Sequence, residues 1–118
     1  MSYSTDFLNK EVLVKIDRPL GSKHPKNDTF IYEQNYGYIE GVMAPDGEDL
    51  DVYVLGITKP IQEFTGTCIA VIHRTNDDDD KLIVVRTGAQ YTDEQIRAMT
   101  DFQEKYFQSI IIRDNVAI

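Results

Sequence analysis

Four acidic side chains crowd residues 46–51 of the segment PDGEDLDVYVLG: Asp46, Glu48, Asp49 and Asp51. Carboxylates this close repel one another, so they stay ionised together only in water or around a cation. Multiple carboxylate oxygens with no His or Cys nearby suit Mg²⁺ or Mn²⁺. The segment is therefore a candidate cation site, although Asp and Gly also form ordinary solvated turns.

A second acidic cluster, NDDDDK, occupies residues 76–81, and several bases fall in RPLGSKHPK at 18–26. Taken alone, four consecutive Asp residues in a hairpin turn indicate a solvated tip. Two acidic clusters together with a Lys-containing loop and a Tyr-rich strand instead indicate a metal-bound phosphate site. Cations bridge carboxylate to phosphate, while Lys and Tyr hold the remaining phosphate oxygens.

These residues are placed by short strands. In EVLVKID, apolar residues alternate with polar neighbours, which predicts a half-buried strand. If 50–56 is also a strand, Asp49 and Asp51 share one face and Leu50 and Val52 share the other. Strands flanking an acidic turn predict a hairpin. The predicted strands are 11–17, 30–39, 50–56, 67–74 and 81–86, and 109–114 is a short last strand or a tail.

A change of period near the C-terminus predicts one amphipathic helix. Apolar residues recur in TDEQIRAMTDFQEKYFQSI, Thr92 or Asp93 can cap its start, and the helix should run for about 16 residues. The sum is an α+β fold that is mainly β: a small, mainly antiparallel barrel with a C-terminal helix packed outside. We expect one domain over residues 1–118.

Composition limits the function classes. The chain has 118 residues and a formal net charge of −8, which disfavours nucleic-acid binding through a basic surface. No apolar run approaches a membrane span, so we expect no membrane association. A single cysteine, Cys68, and the absence of a signal-like N-terminus predict a cytoplasmic protein. We also expect a homo-oligomer.

The order of these motifs resembles the soluble, Mg²⁺-dependent inorganic pyrophosphatase family. NYGYI at 35–39 is followed by DGEDLDVYVL, similar to the family's Asp-x-Asp-x-x-Asp signature at the start of a strand. VKIDRP, HPKND, DDKLIVV and the helix with Tyr106 extend the resemblance over roughly residues 11–107. It implies a five-stranded, OB-like barrel and hydrolysis of diphosphate to two phosphates by a metal-activated water.

The resemblance also implies roles for individual residues. The implied metal ligands are Asp46, Asp51, Asp77 and Asp79, with Asn76 or Asp78 as alternatives to Asp77. The implied catalytic residues are Glu48 as the base, Lys81 and Tyr36. The implied substrate-binding residues are Lys26, Tyr32, Tyr36, Lys81 and Tyr106, and Asp17 and Asp28 would be further acids around the site.

Three departures from the family pattern concern the phosphate-binding residues and the base. The stretch between Asp28 and Tyr32 is nearly absent from this chain. In the family, that stretch forms a hairpin that carries a substrate-binding Arg. Glu48 stands where the signature has Asp, and Phe107 stands where the family has Lys after its Tyr. Arg18, Lys23 or Arg74 could compensate. We therefore keep two alternatives: a hydrolase for another small phosphorylated compound, and a non-catalytic module that binds Mg²⁺ and phosphate.

Overall fold

Strands with alternating apolar and polar residues form a closed barrel, and most of the candidate site lies on this barrel. The computed structural model describes residues 4–43, 47–76 and 79–113. A short 3-10 helix, Ser4–Phe7, comes first. The elements that follow are β1 (Glu11–Arg18), β2 (Lys23–His24), β3 (Asn27–Ile31), β4 (Asn35–Met43), β5 (Asp49–Val54), β6 (Glu63–Arg74), β7 (Asp80–Val85), α1 (Asp93–Glu104) and β8 (Ser109–Ile112).

The barrel is formed by β1, β4, β5, β7 and β6 in that spatial order, and β6 closes it by pairing with β1. The pairing of β5 with β7 is parallel, and the other four barrel pairings are antiparallel. β6 and β7 form the predicted hairpin, and β8 extends the sheet beside β6. The predicted mainly antiparallel barrel with an outside helix is confirmed, with one parallel pairing that periodicity did not indicate.

Side chains alternate between the two faces of each barrel strand, and this alternation produces two apolar layers, one inside the barrel and one outside it. Even-numbered residues of β5, such as Leu50 and Val52, lie inside the barrel with apolar residues from the other barrel strands and Cys68. Odd-numbered residues, such as Tyr53, point outward into a second layer that α1 covers through Ile96 and neighbouring side chains. Asp51 therefore emerges on the outer face, at the edge of the layer under the helix.

Helix α1 begins where the sequence predicts. Thr92 caps it: its hydroxyl accepts a hydrogen bond from the Gln95 backbone N–H, and its own backbone N–H donates one to the Gln95 side-chain oxygen. The helix is shorter than predicted because it ends at Glu104. Tyr106 and Phe107 lie in the turn that follows, where their backbone N–H groups bond to carbonyls three residues earlier.

Two further predictions were wrong in their bounds. The segment 30–39 is not one strand, because the chain leaves the β2–β3 hairpin after Ile31 and enters the barrel only at Asn35. The strand predicted at 67–74 starts earlier, since β6 already begins at Glu63. None of the helices in the described ranges has the length and apolar character that a membrane crossing requires.

Candidate active site

An ammonium group joins two of the predicted metal ligands. The parallel register of β5 and β7 sets Lys81 opposite Asp51. The Lys81 Nζ lies 2.5 Å from Asp51 Oδ2 and 2.9 Å from Asp79 Oδ2. Lys81 is buried, whereas Asp51 is about one-third exposed, so the group opens to solvent on its carboxylate side. The structure thus brings together one acid from each cluster, Asp51 and Asp79, which are 28 residues apart in the chain.

Tyr36 lies beside this group. It is buried, and its ring centroid lies 5.7 Å from the Lys81 Nζ and 4.9 Å from the ring centroid of Tyr53. Burial raises the pKa of the Tyr36 hydroxyl well above its ordinary value, and the negative charge of Asp51 adds to the increase. Tyr36 is therefore a neutral hydrogen-bond donor at any physiological pH.

A first cleft of about 520 Å³ opens over the outer face of β5. Four carboxylates line it, from Asp17, Glu48, Asp49 and Asp51, and its other walls are Arg18, Tyr32, Tyr36 and Tyr38. Burial raises the pKa of Asp17, Arg18 opposes that increase and Asp51 adds to it. This cleft therefore concentrates negative charge and oxygen donors, which is the chemistry that hard divalent cations select.

Two backbone features of the barrel shape this first cleft. The register of β1 against β4 shifts between Ile16 and Arg18, so Asp17 lies at a β-bulge, a feature that redirects a side chain. Opposite, an added Cβ on Gly37 would lie 1.8 Å from the Lys15 carbonyl oxygen, so only glycine allows this close approach. Gly47 has φ +86°, which places the left-handed conformation directly before Glu48.

A second cleft of about 330 Å³ adjoins the first and shares Tyr36 with it. Lys81 and Arg74 form part of its wall, together with Asn27 and Gln103. The rest of the wall consists of rings, from His24, Phe30, Tyr106 and Phe107. Tyr106 is 64% exposed, so it lies at the rim rather than in the core.

A buried ion pair ties α1 to the site. The Arg74 Nε and Nη2 donate to the two Glu104 carboxylate oxygens at 3.0 and 2.6 Å. The Arg74 Nη1 lies 3.6 Å from Asp79 Oδ2, and the guanidinium carbon stacks 3.6 Å from the Phe107 ring centroid. Burial lowers the pKa of Arg74, but the hydrogen bonds and charge of Glu104 outweigh burial and raise it. Tyr53 Oη also donates to Glu104, at 2.5 Å.

Other predicted site residues are placed differently or lie outside the description. Asp46 and Asp77, with the alternative Asp78, fall outside the described residues, as does the side chain of Asp28. Lys26 lies in the turn between β2 and β3, where its backbone N–H donates to the His24 ring, and its side chain is exposed. It is not among the residues that line the two clefts. Within residues 4–43, 47–76 and 79–113, no group of three potential ligands is close enough to hold a metal.

The structure also adds residues to which the family resemblance assigned no role in the site. Asp49 and Tyr38 line the first cleft, and Glu104 anchors Arg74 beside the second. Asp49 could have been found, because it shares the strand face of Asp51. Glu104 could also have been found, because it continues the buried helix face of Ile96 and Thr100 at a spacing of four.

Solved structures support the fold. An inorganic pyrophosphatase from Ehrlichia chaffeensis matches with a TM-score of 0.68 at 19% identity, covering 97% of this chain and 91% of that chain. One from Neisseria gonorrhoeae matches with a TM-score of 0.60 at 20% identity, covering 90% and 78%. One from Helicobacter pylori matches with a TM-score of 0.62 at 13% identity, covering 89% and 85%. Curated protein sequences contain no match to this chain.

A sequence model of one protein family covers most of the barrel and the helix. The model describes inorganic pyrophosphatases and matches residues 8–112. That span contains both acidic clusters, the two clefts and helix α1. The chain therefore belongs to the inorganic pyrophosphatase family.

Proposed function

We propose that the chain hydrolyses inorganic diphosphate to two phosphates at the junction of the two clefts. The observation that carries the proposal is the Asp51–Lys81–Asp79 group, which sets two carboxylates and one cation where a carboxylate-lined cleft meets a second cleft. A substrate with two phosphoryl groups fits this junction, because one group can lie near the acids and the other beyond Lys81.

The donor chemistry of the first cleft fits Mg²⁺, with Mn²⁺ as an alternative. Its acids supply only hard oxygen donors, and Asp51 already faces a cation, the Lys81 ammonium. Asp51 and Asp79 would hold the metal together with Asp46 and Asp77. When bound, the divalent cation would polarise phosphate oxygens and lower the pKa of water.

The chain's own residues would divide the remaining work. Glu48, exposed at the edge of the first cleft, would accept a proton from the attacking water. Lys81 would compensate the charge that develops on the phosphoryl group, and Tyr36 would donate a hydrogen bond to it. Tyr32 and Tyr106, which line the clefts, would contact the outer phosphate oxygens. Lys26 lines neither cleft, and its exposed side chain would reach the phosphate from the β2–β3 turn. Asp17 and Asp28 would add negative charge around the metal ligands.

The test compares Asp51→Asn with Asp6→Asn in the full chain. Asp6 is an exposed acid of the N-terminal 3-10 helix and lies outside both clefts. Asp51→Asn should remove Mg²⁺ binding measured by calorimetry and lower phosphate release by at least about a thousandfold, because a ligand loses its charge. Asp6→Asn should match the parent in both measurements. Full activity of Asp51→Asn would overturn the proposed site.

A further inference from the structure

We propose that the second cleft is a subsite for a planar ring, and that the enzyme also hydrolyses diphosphates whose leaving phosphate is esterified to a ring-bearing group such as a nucleoside. The inference rests on the proposed function, because the same Asp51–Lys81–Asp79 group would carry the reaction. It adds a class of substrate that inorganic diphosphate does not represent.

The position of the second cleft assigns it to the leaving phosphate. The two clefts meet at Tyr36, and Lys81 lines the second cleft while its ammonium contacts Asp51 of the first. Asp51, which would hold the metal, and Glu48, which would accept the proton of the attacking water, both line the first cleft. The phosphoryl group that is attacked must therefore lie on that side, and the group that leaves extends beyond Lys81 into the second cleft.

The walls of the second cleft suit a ring better than a free phosphate. His24, Phe30 and Phe107 are partly exposed, and the rim residue Tyr106 is 64% exposed, so ring surface faces the opening. The ring centroids of His24 and Phe30 are 5.3 Å apart in an edge contact. Aromatic walls with a few polar groups, in a cleft of about 330 Å³, are typical of sites for small organic ligands.

The charges of the second cleft point in the same direction. Its arginine and its lysine are each engaged by carboxylates: Arg74 by Glu104, and Lys81 by Asp51 and Asp79. The positive charge available there for a leaving phosphate is therefore largely compensated. An esterified phosphate has one ionisable oxygen fewer than a free terminal phosphate, and its ring gains contact with the aromatic walls.

The reaction balances without any further reactant. The oxygen of water forms a bond to the terminal phosphorus, and the bond between that phosphorus and the bridging oxygen breaks. The bridging oxygen leaves with the esterified phosphate, and the proton lost by the water passes first to Glu48. The products are inorganic phosphate and a phosphate monoester.

The experiment compares three substrates in the full chain with Mg²⁺: inorganic diphosphate, methyl diphosphate and adenosine diphosphate. We expect kcat/KM for adenosine diphosphate to exceed that for methyl diphosphate by at least about tenfold, the order expected for stacking one base on aromatic side chains. Phe30→Leu and Phe107→Leu should each lower that ratio by about fivefold or more. Phe64→Leu, a partly buried ring on the barrel core away from the cleft, should leave it unchanged.

Equal kcat/KM values for the adenosine and methyl compounds would overturn the inference, as would a loss that is the same for all substrates in both variants. Calorimetry with adenosine monophosphate and methyl phosphate provides a readout that needs no turnover. If inorganic diphosphate is not hydrolysed, the proposed function fails, and the subsite is then decided by these two ligands. Tighter binding of adenosine monophosphate by at least about tenfold supports it, and equal binding contradicts it.

Discussion

At the scale of single residues, two effects of Lys81 can be separated: its contact with the carboxylates that would bind the metal, and its stabilisation of the transferred phosphoryl group. Its ammonium lies between Asp51 and Asp79, so it competes with a divalent cation for the same oxygens. Lys81→Ala should therefore leave Mg²⁺ affinity unchanged or increase it. Turnover should fall by about 10²- to 10³-fold, because charge stabilisation of the transferred phosphoryl group is lost.

Calorimetry with Mg²⁺ and steady-state phosphate release measure the two effects of Lys81→Ala. Lys59→Ala is the matched control, because Lys59 is an exposed lysine outside both clefts. If Lys81→Ala lost as much Mg²⁺ affinity as Asp51→Asn, Lys81 would be a structural support of the acids rather than a contact of the phosphate.

Glu48 tests the proton transfer. Glu48→Gln keeps the side-chain length and removes the base, so turnover should fall by about two to four orders of magnitude with little change in diphosphate affinity. Glu48→Asp should change turnover much less, because Gly47, with φ +86°, directly precedes it in a pliable conformation. The kcat and KM of both variants show whether Glu48 takes part in proton transfer. Glu33→Gln, at an exposed glutamate, is the control. A parental rate in Glu48→Gln would remove Glu48 from the mechanism.

At the scale of the elements, α1 is fastened to the barrel through charge as well as through apolar contacts. Glu104 and Arg74 are both buried, so Glu104→Gln removes the carboxylate charge that lies 2.6 Å from the guanidinium and leaves Asp79 at 3.6 Å. We expect unfolding free energy to fall by about 3 kcal/mol. Asp101→Asn, an exposed change on the same helix, should alter it by less than about 0.5 kcal/mol. Urea denaturation measures the unfolding free energy of both variants. Equal values would mean that apolar packing alone holds the helix on the barrel.

The positions of many of the strands and of the helix can be predicted from local sequence patterns. Alternation in β1 and β5, the apolar run of β7 and the capping pair Thr92–Gln95 are short-range signals, and each marks an element that exists. The same alternation predicts that Asp51 points away from Leu50 and the barrel core. The signature residues of the family then place Asp51, Asp79 and Lys81 in one site before any fold is known.

The remaining features depend on contacts distant in sequence. The parallel pairing of β5 with β7 brings Lys81 beside Asp51, and nothing local encodes it. The end of α1 at Glu104 accompanies the stacking of Arg74 on Phe107, a contact across 33 positions of the chain. The ring-lined cleft also depends on the contact between Phe30 of β3 and Phe102 of α1, which periodicity in 30–39 could not indicate.

At the scale of the whole molecule, negative charge in the first cleft couples metal binding to stability. Mg²⁺ that binds the folded chain and not the unfolded chain stabilises it by mass action, by about 2.7 kcal/mol at a concentration 100 times Kd. For a chain of this size we expect Tm to rise by about 10 °C. Differential scanning calorimetry with and without Mg²⁺ measures the rise, and Asp51→Asn should abolish most of it.

If neither Mg²⁺ nor Mn²⁺ changed the melting temperature, the acidic segment at 46–51 would be a solvated turn. The homo-oligomer expected from the sequence stays a prediction, and light scattering during gel filtration of the same samples measures it. Comparing the calorimetric rise at several protein concentrations separates metal binding from assembly, because only assembly makes Tm depend on protein concentration.

Phosphate release from inorganic diphosphate tests most directly whether this chain cleaves diphosphate with the help of a divalent cation. In millimolar Mg²⁺ we expect turnover between about 1 and 10³ s⁻¹, the ordinary range for enzymes. Chelation of the metal should lower turnover by at least about a hundredfold, since cation stabilisation contributes several kcal/mol. Phosphate release no faster than in a protein-free blank with Mg²⁺, or a rate that chelation leaves unchanged, would contradict the account.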